Sequence, residues 1–489
     1  MHDEYHEQVI TNIESDMTSH AAAQFAALVT NYFDATRDVT APVSTSLTAT
    51  QLAARFDEPL PQWGTPLTEV LARLERDVIA DSNRLYHPRA AGHQCSPPLP
   101  AAIWTESVIG ALNQSVAVAE MSPTGTAIEH RVVRWMCDLV GFGSSSGGTL
   151  TSGGTEATFT ALLAARAALL PDAWINGVGA EPPVVVCGEH THYAIARAIG
   201  ELGIGSRNTV VVPSREWRMN TDALIERLDE LAAAGRSVMA VVATAGSTAT
   251  GAIDDLDTIG QQCEARGIWM HVDGAHGASA LLSERDRHRL RGIERARSIA
   301  WDPHKMMLLP LAAGLLLVRD ERDLERAFSQ RAPYLFHGGE SERVVDQGIR
   351  SFQCSRRADV IKLWVALQRY GARGIGALYD GLCHTTRVMH AVLEAHPLFV
   401  TLHEPEANIL CFRYVGDGSM NDAELDTLNR ELRERYNRSG AGWITATDLR
   451  GRRVLRVTIM NPRTTAEDVN AIVYGLAREA ALISLTTPS

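Results

Sequence analysis

From about residue 130 the chain alternates short runs of consecutive apolar residues with longer segments of helical periodicity. The runs are PVVVC (183–187), VVVP (210–213), MAVVAT (239–244), IWMHV (268–272), SIAW (298–301) and GLLLV (314–318). Amphipathic segments, such as 221–235 and LDTIGQQCEARG (256–267), lie between several of them. A strand that is apolar throughout is buried on both faces, so the pattern predicts a mostly parallel sheet covered by helices. Before this region, AAAQFAALVTNYF and PLTEVLARLERDVI carry helical patterning, with Pro- and Thr-rich turns between them. HPRAAGHQCSPPLP (87–100) is too rich in Pro and Gly for a helix and predicts a shaped loop at a boundary. Beyond about 376, helices mix with the strands NILCFRY and VLRVTIM. The reading is an α/β chain with an N-terminal helical segment (1–85), a large domain (86–375) and a small C-terminal α+β domain (376–489).

Bulk properties narrow the field. The 489 residues exceed one ordinary core, and 45% hydrophobic with 21% charged residues is a soluble globular profile. A net charge of -12 without a long basic run argues against a nucleic-acid partner. No apolar run reaches the roughly 18 residues of a membrane span. The polar, acidic start MHDEYHEQVITNIESDM lacks the features of a secretory signal. Seven scattered cysteines without a CxxC pair suggest reduced thiols and a cytoplasmic protein. The sequence predicts no metal site.

In an open parallel sheet, ligands bind beyond the carboxyl ends of the strands. Asp273 follows IWMHV, and His304 with Lys305 follows SIAW. GEHTHY, with His190 and His192, follows PVVVC, and Ser247 and Thr248 follow MAVVAT. TSGGTEATFTALLAAR is a Gly-rich turn opening a helix. Taken singly, each has a plainer reading. Lys305 fits a side chain whose stem lies on apolar surface. TSGG fits a tight turn with Thr151 or Ser152 as a cap. Asp273 fits half of an ion pair, and His192 fits a core or surface histidine.

Together they fit one chemistry. A buried lysine is pushed toward its neutral form, and a neutral amine forms a Schiff base with an aldehyde. Pyridoxal phosphate supplies that aldehyde and needs a phosphate cradle, a carboxylate at its ring nitrogen and walls on its two faces. TSGGT, Asp273, and His192 with Ala275 can supply these in turn.

The stretch from YHPRAAGHQ to LRVTIMNPRTT, most of the chain, resembles the group II pyridoxal-phosphate-dependent amino-acid decarboxylases. The family includes glutamate, cysteine-sulfinate, 2,4-diaminobutyrate and aromatic amino-acid decarboxylases. HVDGAHG with DPHK, and TSGGTEA with EHTHY, carry the resemblance. It implies a fold-type I homodimer with a swapped N-terminal segment and active sites at the subunit interface. It implies that Lys305 carries the Schiff base. It places Gly154, Thr155, Ser298 and His304 on the phosphate side, and His192 and Ala275 on the two ring faces. Asp273 matches the pyridine partner, and Thr244 and Ser247 match strand-end positions near it. YLFHGGESERVVDQGIRSFQCSRRADVIKLW is most similar to the glutamate and cysteine-sulfinate branch, where Arg356 matches the arginine that holds the substrate α-carboxylate.

Two departures bear on the outcome. Where many relatives carry a loop tyrosine that protonates the carbanion, the aligned residue is Val345, with Tyr334 and His337 nearby in sequence. In the substrate loop, His93, Gln94 and Cys95 stand where the glutamate branch holds a distal carboxylate; a protonated His93 would still meet an acidic side chain. The expected activity is decarboxylation of an L-amino acid to the amine and CO2. The alternatives are a decarboxylation-linked oxidative deamination giving an aldehyde, motivated by Val345, and a catalytically silent structural or regulatory paralogue.

Overall fold

A computed structural model describes residues 2–328 and 346–486 of the chain. Its strands, in chain order, are β1 (Gly147–Thr151), β2 (Val184–Gly188), β3 (Thr209–Val212), the small hairpin β4 (Ser214–Arg215) and β5 (Arg218–Met219), β6 (Val238–Thr244), β7 (Trp269–Asp273), β8 (Ser298–Trp301), β9 (Gly314–Val318), β10 (Phe399–Thr401), β11 (Ile409–Tyr414), β12 (Thr445–Leu449) and β13 (Arg452–Thr458). Seven of them form one sheet in the order β1-β9-β8-β7-β6-β2-β3. Only β9 is antiparallel to its neighbours, β1 and β8. The six apolar runs read from the sequence are all in this sheet, their ends shifted by at most one residue.

The central strands are largely apolar because both faces are covered, whereas the edge strand β3 leaves Val211 exposed. Val185, Cys187, Ala240, Val242 and Trp269 face Leu162 and Leu163 of helix Gly154–Leu169 and Ile195 and Ile199 of helix Ala194–Glu201. Val186, Val241, Ala243, Met270 and Val272 point the other way, toward Leu256, Ile259 and Cys263 of helix Leu256–Arg266. The predicted segments 221–235 and 256–267 form helices Thr221–Ala233 and Leu256–Arg266, started by Asn220 and Asp255 side chains that accept from first-turn N–H groups. β1 is an addition to the sequence reading. A Cβ on Gly148 would stand 2.2 Å from the Leu316 carbonyl oxygen, so the close approach to β9 demands glycine and erases the apolar signal.

The C-terminal part builds a second, antiparallel sheet in the order β10-β11-β13-β12. Helices Asp422–Arg438 and Ala466–Thr486 accompany it. Non-helical backbone at Gly371 (φ 69°, ψ 161°) divides the stretch Val360–Glu394 into two helices, and the boundary read at 375/376 falls just inside the second. At the N-terminus, helices His2–Asp16, Ser19–Ala35, Ala49–Arg55 and Leu67–Arg73 carry or flank the exposed apolar side chains of Ile13, Met17, Phe25, Leu60 and Trp63. The loop 87–100 is irregular but tied on both sides. Ala91 N donates to Trp443 O at 2.8 Å and Thr458 N to Ala91 O at 3.0 Å; Ser96 Oγ donates to His304 O at 3.0 Å. No described helix is long and apolar enough to cross a membrane.

A Cβ on Gly376 would meet the Leu282 carbonyl oxygen at 2.2 Å, whereas one on Gly374 meets nothing closer than Tyr370 Cβ at 3.6 Å. Gly376→Ala is therefore expected to lower the unfolding free energy by about 1–3 kcal/mol. Gly374→Ala is expected to leave it unchanged or raise it by about 0.5–1 kcal/mol. Urea denaturation of the two variants checks the contrast.

Candidate active site

A cavity of about 350 Å³ opens beyond the carboxyl ends of β6, β7 and β8. Gly154, Thr155, His192, Thr244, Asp273, Ala275, His304 and Lys305 all line it. Asp273 ends β7, and its Oδ1 accepts from Ala275 N at 3.3 Å. His192 Nδ1 accepts from Ala194 N at 3.3 Å, and its ring packs on Tyr193 with centroids 4.2 Å apart. Burial pushes the His192 imidazole below its usual range, against the pull of Asp273.

Lys305 lies in the turn after β8, 18% exposed, above buried Met306, Met307, Leu308 and Leu309. The apolar neighbours anticipate a neutral amine. The structure instead provides a counter-ion, with Lys305 Nζ 3.0 Å from Asp302 Oδ2. His304 Nε2 lies 3.5 Å from the same oxygen, while its Nδ1 accepts from Ala313 N at 3.3 Å. Burial lowers the His304 pKa despite Asp302.

Helix Gly154–Leu169 points its start into the cavity, and no described side chain caps it. Glu156 is held to one side by Ser152 Oγ at 2.6 Å and Gln353 Nε2 at 2.8 Å. A Cβ on Gly154 would stand 2.8 Å from Ala275 Cβ and 3.1 Å from Asp302 Oδ2. Glycine here lets the first backbone N–H groups reach the cavity, which makes an anion cradle.

Other predicted residues lie elsewhere. Ser298 is fully buried beneath the sheet edge, where its Oγ accepts from Trp269 Nε1 at 2.8 Å and bonds His271 Nδ1 at 2.9 Å. Its position at the start of β8, not at the end, keeps it from the cavity. Ser247 Oγ bonds Thr250 Oγ1 at 2.9 Å and faces a smaller cleft with Thr191 and Asp254. Arg356 is not available as a substrate clamp in this arrangement. Its guanidinium is buried and forked onto Glu129, Nη1 to Oε2 at 3.0 Å and Nη2 to Oε1 at 2.5 Å. His93 lies off the cavity wall with its ring on Trp443, and burial together with Arg456 and Arg433 lowers its pKa, opposing the protonated form. Gln94 Nε2 is buried without a hydrogen-bond partner among the described residues. Cys95 is exposed, its thiol pushed up by partial burial against the pull of Lys305. Val345, Tyr334 and His337 lie outside the described residues.

Three residues escaped the sequence reading. Asp302 and His276 stand within the quoted motifs DPHK and HVDGAHG, and both line the cavity. Arg456, on β13, is 5% exposed with Nε and Nη2 unpartnered among the described residues; Nη1 donates to Thr445 Oγ1 at 3.4 Å. Its charge helps to lower both His93 and His276. No sequence spacing marks it; the signal is a buried cation without a carboxylate among the described residues.

Residues 51–415 match the pyridoxal-dependent decarboxylase conserved domain. The chain belongs to the pyridoxal-dependent decarboxylases. It is 34% identical to an L-2,4-diaminobutyrate decarboxylase of Rhizobium meliloti (strain 1021), over 86% of this chain and 84% of that protein. It is 30% identical to an acidic amino acid decarboxylase of Bos taurus, over 86% and 83%. Its fold superimposes on mouse CSAD in apo form with a TM-score of 0.88 at 27% identity, covering 95% and 99%. The protein is thus a lyase that uses pyridoxal phosphate. The decarboxylase cavity fits that cofactor. It offers an anion cradle at Gly154, an amine at Lys305, a carboxylate at Asp273, and apolar or aromatic surface from Ala275 and His192.

Two fully buried histidines beside this site predict an acid sensitivity of the fold. Burial pushes His271 down to about 4 and His276 down to about 3. Both bind protons in the unfolded chain below about pH 6.5 but not in the fold, so stability present at neutral pH is lost as pH falls. From pH 7 to pH 5 each is expected to remove about 2 kcal/mol. Denaturant unfolding across that range checks the slope, which His271→Gln should reduce by about one proton.

Proposed function

We propose that this decarboxylase converts an L-amino acid to its amine and CO2, with Lys305 holding the cofactor aldehyde. The observation that carries the reading is that Lys305, Asp273, His192 and the open start of helix Gly154–Leu169 line one cavity. When bound, pyridoxal phosphate supplies an electron sink for the pair released as the carboxyl group leaves. Asp273 would keep a proton on the ring nitrogen, the Gly154 backbone N–H groups would hold the phosphate, and His192 and Ala275 would keep water from the ring faces. Arg456 takes the substrate carboxylate, supported by its unpartnered buried donors and by the β13 link from Thr458 to the loop at Ala91. The exposed apolar residues of the N-terminal helices support a second copy of the chain as partner.

A second reading keeps the site and changes the product. Val345 has no proton to give, and with O2 as the two-electron oxidant the amino acid and water would then be converted to aldehyde, CO2, ammonia and hydrogen peroxide.

Mass spectrometry of products formed in air separates the two. The panel contains acidic, basic, aromatic and aliphatic L-amino acids, including L-2,4-diaminobutyrate. An amine is the expected product, and an aldehyde as main product selects the second reading. Lys305→Ala is expected to abolish the cofactor's protein-bound absorbance; an unchanged spectrum removes the assignment. Arg456→Met is expected to raise KM by about 10- to 100-fold with cofactor content unchanged. Arg356→Met should instead cost about 3–5 kcal/mol of stability, because Glu129 is left buried and unpaired.

A further inference from the structure

Asn408 Nδ2, at the edge of β11, donates to Ile459 O at 2.9 Å and lies 3.0 Å from Met460 Sδ. This fixes the amide, because the reverse orientation would set Oδ1 against a carbonyl oxygen. Oδ1 therefore faces His276 as an acceptor, and His276 Nε2 stands 2.7 Å from it. Nε2 must carry the ring proton, which leaves Nδ1 a bare lone pair.

That lone pair is buried and unpartnered among the described residues, on a ring that lines the cavity and is 2% exposed. The backbone on either side is pinned, Gly277 N to Ala245 O at 3.0 Å and Asp302 N to Ala275 O at 3.1 Å. The ring cannot gain a second proton to satisfy Nδ1, since burial and the Lys305 charge hold it at about 3. The other unpartnered buried atom on the cavity wall, Asp302 Oδ1, is also an acceptor. Buried acceptors without donors are costly, and a guest that brings several N–H groups supplies what each lacks. The α-ammonium of an amino acid is such a guest.

We propose that His276 Nδ1 receives the ammonium of the incoming amino acid, held in the required tautomer by the small domain through Asn408 and Ile459. The inference rests on the amino-acid decarboxylase reading above. It makes His276 a substrate-binding residue whose geometry is set by the other domain.

The test uses the cofactor-loaded protein labelled with ¹⁵N-histidine, and methylamine as the probe. Long-range ¹H–¹⁵N correlations are expected to show His276 protonated at Nε2 only, with the Nδ1 resonance moving as methylamine is added. A proton on Nδ1, or an Nδ1 resonance that stays put at saturating methylamine, overturns the proposal. His276→Phe keeps an aromatic ring without a lone pair. Its half-saturating methylamine concentration is expected to rise about 10- to 100-fold with cofactor content unchanged, while the melting temperature falls because Asn408 Oδ1 loses its donor. An unchanged value in the folded, loaded variant overturns the proposal as well. A wild-type chain that takes up no cofactor overturns the functional reading first, and is recognised before any methylamine is added.

Discussion

Lys305 and Asp302 place opposite charges 3.0 Å apart where Asp302 is almost wholly buried. The turn after β8 sets this up, because Lys305 N donates to Asp302 O at 2.9 Å and both side chains leave the same side. Removing either partner strands the other in a poorly solvated site. The surroundings serve that pair. Met306 to Leu309 fill the space behind it, Gly154 brings a helix start to within contact of Asp302, and His304 shares the same carboxylate oxygen. The Lys305 side chain is thereby kept in one position and largely shielded from bulk water, which fixes its orientation at this cavity.

The fold was legible where burial dictated composition. Strands covered on both faces must be apolar throughout, and SIAW and GLLLV announce themselves for that reason. β1 did not, because its glycines serve a close backbone approach and carry no apolar side chain toward either layer. Likewise the chemistry at strand ends was legible as Asp273, His192 and Lys305, since topology alone sends those positions to one edge. Ser298 shows the limit of that rule. It belongs to the same strand as the DPHK turn but sits at its beginning, and the hydrogen bonds of Trp269 and His271 claim it.

Two arginines make the same point for charges. Arg356 and Arg456 are both buried, and a motif favours the first. What separates them is a carboxylate more than two hundred residues away in the chain, since Glu129 occupies the Arg356 fork while Arg456 has, among the described residues, only a threonine hydroxyl. Sequence spacing reports neighbours along the chain, whereas the availability of a guanidinium depends on neighbours in space. His276 repeats the lesson, for its tautomer is decided by Asn408 and Ile459 in the other domain.

The loop 87–100 has one further consequence, and it concerns synthesis. Its backbone is stitched to Trp443 and Thr458, and its Ser96 hydroxyl to His304. A chain emerging from the ribosome presents this loop early, but its partners at 443 and 458 emerge hundreds of residues later. The central sheet can form while the loop still lacks its anchors. Docking of this loop therefore waits for the C-terminal sheet, so a stalled nascent chain can own every residue from Ser152 to Leu311 that lines the cavity while the loop still lacks its ties to Trp443 and Thr458.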